Sequence, residues 1–477
     1  MLITELENGE FNGMDILEIT DIPDISILTA EGTENREFCQ KHKKEFETLI
    51  TEFFFGCKQD FNSQYQNQDY SISLVFKSEE IKNQTYNAKV MIYVVIRGIN
   101  SNKEYLEFRI SELKNSIKAG FKSNKYGIRD PSNGDEIIEK IKENASKEKR
   151  AIIKDCQMSN LQSMYLQECL MFDKFPTKDE NFIKIITTLM QYPDSEIIID
   201  LIPTILNQNE ITNIESYSNV LDVILKGVAG PEGASANTLA EKPSIIYKYY
   251  ETNKYGVLFS FNILVCSDYK YVNTITNRLT GELSLGANNE YAKLNCVEIN
   301  NDEIDIDTYF TSLPWVINEI VMEKNMQNNI CCNSELGRFP FIITGEEASE
   351  FFRIPYGDST LTAGVKINKS DIASKSYNKK VINMGDIMVG KLKSSTNEDN
   401  IGFSLGDLTK HMLIVGTPGS GKTTFSVSLL DRLWKDHNIP FLVIEPAKNE
   451  YRAMIDSIPD IQVFTPGKDF ISPYILN

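Results

Sequence analysis

The chain has 477 residues, 41% of them hydrophobic and 24% charged, and its 49 Lys and Arg stand against 67 Asp and Glu for a net charge of −18. That composition is globular rather than disordered, and the length suits two to four domains. The acidic balance argues against a surface that coats nucleic acid.

No basic and apolar leader opens the chain, and no apolar run approaches the roughly 18 residues of a membrane span. Neither a signal peptide nor a membrane partner is therefore expected. Eight cysteines, among them the adjacent pair Cys331 and Cys332, include no CxxC, and there are three histidines. This spacing gives no zinc site and suits reduced thiols in a cytoplasmic protein.

In chain order, Phe38, Phe46, Leu49, Ile50 and Phe53 fall at helical spacing. Ile72, Leu74 and Phe76 alternate as in a half-buried strand, and Val90 to Ile96 is a second strand. Leu106, Ile110, Leu113 and Ile117 return to helical spacing. Residues 135–155 read as one charged, solvated helix. Residues 160–226 read as mainly helical. Within them EIIID at 196–200 is a buried strand or a helix edge capped by Asp200.

The glycine-rich and small-residue stretch 227–244 reads as a loop or linker. Residues 255–299 repeat the earlier pattern of strand, helix and strand: YGVLFSFNILVCS, then Val272, Ile275 and Leu279, then YAKLNCVEI. A helix follows Pro314. INMGDIMVGKL suits a β-hairpin.

These elements predict an α/β chain of N-terminal α+β modules, suggestive of ferredoxin-like halves, ahead of a nucleotide-binding unit. The expected divisions are an α+β module at 1–160, a helical segment and second module at 161–335, a β-rich connector at 336–402, and an incomplete RecA-like P-loop ATPase domain at 403–477.

HMLIVGTPGSGKTTF at 411–425 carries the most chemistry. Met412 to Val415 is an apolar run of the kind buried in a parallel sheet. Gly416, Thr417, Pro418, Gly419, Ser420, Gly421, Lys422 and Thr423 fit the phosphate-binding pattern G-x-x-x-x-G-K-[ST] at each fixed position, with Thr424 just behind. Glycines let backbone N–H groups approach phosphate oxygens, and a helix beginning near Thr423 points its positive end there. Lys422 would neutralise the β- and γ-phosphates, and the Thr423 hydroxyl would ligate Mg²⁺.

Phe425, Leu429, Leu430 and Leu433 mark the helix, and Phe441 to Ile444 a second buried strand. Strand, P-loop, helix and strand make one βαβ unit. Glu445 at the strand end and Glu450 beyond it are placed to orient an attacking water, with an ordinary loop carboxylate as the alternative for Glu445.

GFSLGDLTKHMLIVGTPGSGKTT followed by FLVIEPAKNEYR resembles the HerA/FtsK superfamily of P-loop translocases on its HerA-like side. The shared features are the approach from Leu405 to His411, the P-loop, Glu445-Pro446, and Glu450-Tyr451-Arg452. RFPFIITGEEASEFFRIPYG at 338–357 also resembles the segment ahead of the motor in large bacterial HerA-like ATPases. Many family members have Asp where Glu445 stands.

The resemblance implies ATP and Mg²⁺ as cofactors, a hexameric homo-oligomer, ATP-driven DNA translocation, and a nuclease or other effector as partner. It also demands a Walker B strand, a sensor and an arginine finger after the P-loop. Only 54 residues follow Thr423 and none forms that strand, so the expectation is a chain that continues past 477, with DNA contacts beyond it and little hydrolysis by residues 1–477 alone. The alternatives are an ATP-sensing assembly module of a multi-protein complex, phage defence included, and a conjugation- or secretion-type ATPase.

Overall fold

β-branched and aromatic runs in the first two thirds of the chain pair into one sheet in the computed structural model. The structure describes all residues except 24–34, 59–68, 82–87, 162–167, 179–183, 227–232, 287–290, 301–302, 304–314, 328–335, 356–365, 369–385, 394–397, 417–419, 446–448 and 466–477. The chain divides into two units, Met1–Asn368 and Lys369–Asn477.

The first unit opens with β1 (Leu2–Glu5), β2 (Phe11–Pro23), α1 (Asn35–Lys58), β3 (Tyr70–Glu80) and β4 (Ala88–Asn100). There follow α2 (Lys103–Ser123), β5 (Gly127–Arg129), α3 (Gly134–Ala145), β6 (Glu148–Lys154), β7 (Cys156–Asn160) and β8 (Glu168–Phe172). Next come α4 (Lys184–Leu189), β9 (Glu196–Thr204), α5 (Gln208–Leu225), α6 (Gly233–Asn253), β10 (Leu258–Ser267) and α7 (Tyr269–Ser284). The unit closes with β11 (Leu294–Ile299), α8 (Trp315–Gln327), β12 (Ile342–Thr344), α9 (Gly345–Phe351) and β13 (Lys366–Asn368).

The sheet order is β1-β2-β4-β3-β9-β10-β6-β11, with β5 and β13 also on β2 and β12 also on β10. The pairings are antiparallel apart from β13 with β2. Strands from the expected segments 1–160 and 161–335 stand side by side, because β3 pairs with β9 in register from Ile72↔Leu201 to Lys77↔Glu196. Residues 336–355, expected in the connector, lie buried in this same unit.

Helices cover both faces of the sheet. On one face Ile72, Leu74 and Phe76 of β3 pack with Ile92, Val94 and Ile96 of β4 and with Ile197, Ile199 and Leu201 of β9. Phe46, Leu49, Ile50 and Phe53 of α1 and Leu106, Ile110, Leu113 and Ile117 of α2 close this face. On the other, Val75, Val95, Ile198 and Leu264 meet Ile137, Ile138 and Ile141 of α3 and Ile317 and Val321 of α8. Each such side chain contributes about 1.5–3 kcal/mol by leaving water. β3 is thus buried on both sides rather than half-buried.

Three sequence expectations are corrected. The charged helix at 135–155 stops at Ala145, and Glu148–Lys154 is a strand between β10 and β11. The largely helical reading of 160–226 fails at β7, β8 and the fully buried β9, so EIIID is a core strand. The linker read at 227–244 gives way to α6 from Gly233, with Pro243 inside it, while 227–232 lie outside the described residues.

Charge burial is what hides β6 in the sequence and leaves β9 open there between buried strand and helix edge. Glu196 accepts hydrogen bonds from Lys77 Nζ at 2.8 Å and Asn144 Nδ2 at 3.1 Å. Lys154 Nζ donates to Glu347 Oε1 at 2.8 Å, Tyr250 Oη at 2.7 Å and the Ile342 carbonyl at 3.2 Å. Partners at these distances let charged residues stand in a core that would otherwise expel them.

The segment 338–353 is held the same way. Arg338 donates to both Glu210 oxygens at 2.8 Å, and Glu350 pairs with Lys43 and accepts from the Lys178 backbone N–H at 2.9 Å.

The second unit contains a hairpin of β14 (Ile387–Lys393) and β15 (Glu398–Phe403), as INMGDIMVGKL predicts, and one long helix, α10 (Lys422–His437).

Candidate nucleotide-binding site

Residues 404–409 prepare the approach to the loop. Ser404 and Asp407 form a reciprocal capping box at a short 3₁₀ turn, and the Leu405 N–H donates to Asp386 Oδ2 at 2.9 Å. The S-x-x-D spacing is a sequence signal for such a turn.

The phosphate-binding pattern then leads into α10. Its N-cap is Gly421 with φ +85°. An L side chain resists that conformation, so the glycine there answers a backbone requirement. A Cβ on Gly416 would stand 2.3 Å from Ser420 Oγ, so a side chain there would make the serine hydroxyl turn aside. Lys422 Nζ donates to the Gly416 carbonyl at 2.7 Å and so spans the mouth of the loop.

Lys422 and Thr423 form the first turn of the helix, where backbone N–H groups have no intrahelical acceptor. They open a helix of sixteen residues. The helix ends at Asn438, φ +56°, where the Ile439 N–H reaches back to the Leu433 carbonyl at 3.0 Å. This left-handed cap was not read from the sequence, although Asn before a Pro-containing segment is its usual signature.

The structure therefore brings Gly416, Ser420, Gly421, Lys422, Thr423 and Thr424 to one helix N-terminus. Thr417, Pro418 and Gly419 lie outside the described residues. Glu445 is half-buried at the end of an extended segment, and exposed Glu450 begins a 3₁₀ helix, Glu450–Asp456.

Two expectations about the flanks are corrected. Met412–Val415 and Phe441–Ile444 run without strand pairing among the described residues; the first run is exposed, and in the second Phe441 and Val443 are half-buried while Leu442 and Ile444 are exposed. Leu413 is 86% exposed, Val415 79%, Leu442 85% and Ile444 84%. The helix runs to His437, and of its apolar positions Phe425, Leu429 and Leu430 are half-buried while Leu433 is buried. An apolar run needs covered faces to behave as a parallel-sheet strand. The described residues of this unit bury only Ile387, Leu433, Met454 and Ile458.

Among the described residues the donor set suits a phosphate chain. It combines a glycine with a positive φ, a second glycine whose Cβ would crowd Ser420, a helix N-terminus, an ammonium and a hydroxyl. This is the local architecture of a P-loop nucleotide-binding segment. Residues 387–477 match the family model described as the central domain of helicase HerA. That match supports assignment of this segment to the HerA/FtsK-type P-loop ATPase superfamily, with the P-loop NTPase fold it implies. No curated protein matches the chain.

Proposed function

We propose that residues 369–477 supply the ATP-binding half of a HerA-type, ATP-driven DNA translocase, and that residues 1–368 serve assembly and protein docking. The observation that carries the first part is the Gly416–Thr424 cradle with Lys422 across its mouth, inside the HerA-type segment. Backbone N–H groups from Gly421 onward would hold the phosphates. Lys422 would leave the Gly416 carbonyl for the β- and γ-phosphate oxygens. The Thr423 hydroxyl would hold Mg²⁺, which offsets phosphate charge when bound. Glu445 and Glu450, on the segment after α10, are the acids that would orient water.

Charge supports the second part. Of the 49 basic and 67 acidic residues, 13 and 12 fall in 369–477, which leaves 36 and 55, a net −19, for 1–368. A unit so acidic repels phosphate backbones and suits protein partners, whether further copies of the chain in a ring or an effector. Among the described residues no helix is long and apolar enough to cross a membrane.

The test is ATP hydrolysis by the natural protein with and without DNA. Stimulation by DNA that disappears in Lys422→Ala supports the proposal. Tight ATP binding with no turnover under either condition would favour the ATP-sensing assembly reading instead.

A further inference from the structure

The hairpin of β14 and β15 is tied to both flanks of the phosphate loop. On the approach side, Asp386 stands immediately before β14, and its Oδ2 accepts the Leu405 N–H at 2.9 Å. Leu405 opens the 3₁₀ turn Leu405–Thr409, which follows β15 and leads toward Gly416. On the helix side, Arg432 of α10 donates through Nη1 to the Met388 carbonyl of β14. The ladder slips at that point. Met388 pairs with Gly402 and Gly390 with Ile401, so Val389 is an extra residue on β14. Such a bulge bends its strand.

Packing runs along the same line. β14 and α10 are in contact. Ile387, beside Met388, and Leu433, beside Arg432, are two of the four side chains that the described residues of this unit bury. So small a core holds a helix weakly. A directional bond from a planar guanidinium supplies an orientation that packing alone does not.

Distance sets what this tie can do. Arg432 follows Lys422 on the same helix, about 15 Å further along its axis. A tilt of about 4° at Arg432 therefore moves the first turn of α10 by about 1 Å. Good hydrogen bonds span only about 0.5 Å in donor–acceptor distance, so a tilt of that size costs phosphate contacts. Neither Asp386 nor Arg432 belongs to the phosphate pattern, and each acts through the backbone it holds.

We propose that Asp386 and Arg432 are positioning residues for nucleotide binding: the hairpin, held by both, fixes the approach at Leu405 and aims the N-terminus of α10 at the phosphates. This rests on the reading of Gly416–Thr424 as the phosphate cradle.

The test is calorimetric titration of Mg·ATP into the whole chain and into Arg432→Ala, Arg432→Lys and Asp386→Ala, with the unfolding midpoint of each measured alongside. Arg432→Ala is expected to bind about tenfold more weakly, the worth of one hydrogen bond from a charged donor. Arg432→Lys keeps a donor and should bind within about twofold of the unaltered chain. A purely structural role would lower the midpoint and leave affinity, measured well below it, unchanged. Binding by Arg432→Ala equal to that of the unaltered chain therefore overturns the inference, whatever its midpoint. Should Arg432→Ala not fold, Asp386→Ala decides, because that side chain is exposed: weaker binding supports the inference and equal binding overturns it. Failure of the unaltered chain to bind Mg·ATP is a different result, which removes the cradle itself and the inference with it.

Discussion

The two units solve the problem of apolar sequence in opposite ways. The first buries its strands on both faces and then buries charges among them: Lys154, Glu347, Glu196 and Arg97 are all at most 2% exposed. The second leaves Leu413, Val415, Leu442 and Ile444 almost fully exposed while shaping a backbone cradle at Gly416–Lys422. The buried core resides in the first unit, and the proposed recognition falls to the second. The candidate nucleotide site of the second unit rests on local backbone geometry, and the runs flanking it form no strand pairs among the described residues.

The largest effect should come from breaking recognition alone. Lys422→Ala is expected to lower nucleotide-dependent turnover of the natural protein by about a hundredfold or more, since it removes the cation facing the transferring phosphate. The unfolding midpoint of residues 1–368 should not move. Steady-state ATPase assays and circular dichroism on the same preparation separate the two outcomes.

Breaking stability alone is the converse. Lys154→Met leaves Glu347 buried without its ion-pair partner, beside the Phe175 N–H at 3.0 Å that still donates to it. Loss of about 3–5 kcal/mol is expected in urea unfolding, with ATP affinity unchanged.

Acid should also weaken the first unit. His42 Nε2 sits 2.5 Å from Tyr126 Oη, whose proton goes to the Ile354 carbonyl at 2.9 Å. Burial, with the Arg353 charge adding to it, lowers the His42 pKa from 6.5 to about 3. The folded ring stays neutral while the unfolded ring takes up a proton below 6.5. Its contribution is therefore complete above that value and is lost as pH falls from 6.5 toward 3. About 2 kcal/mol should go between pH 7 and pH 5, and the slope should flatten in His42→Gln.

A finer probe is Gly421→Ala. Nothing lies within 4 Å of the added Cβ, so the cost is backbone conformation alone, about 1 kcal/mol, or roughly fivefold in nucleotide affinity. The smallest effect belongs to Leu442→Ser. At 85% exposure it should change the stability of the chain by less than about 0.5 kcal/mol, and a large loss would show that the segment is covered in solution.

How legible these features were in the sequence follows the same division. Periodicity found α1, α2, α7 and α10 and the strands β3, β4 and β10, because their apolar faces are unbroken. It missed β6 because EKRAIIK carries Lys149, Arg150 and Lys154, whose burial depends on partners far away in the chain. Lys154 needs Glu347, and Arg150 is 3.3 Å from Glu298. It also missed the run of α6 through Pro243. The site was legible in the opposite sense. Glycines, Lys422 and Thr423 at fixed spacing carry their own geometry, whereas the flanking runs read as strands depend on neighbours that no local pattern supplies.

The most direct measurement is calorimetric titration of Mg·ATP into the chain and into its Lys422→Ala form, at one salt concentration and with both forms shown to be folded. The account predicts saturable binding by the first at one site per chain and none by the second. Equal binding by both, or none by the unaltered chain, would contradict the placement of nucleotide recognition at Gly416–Thr424.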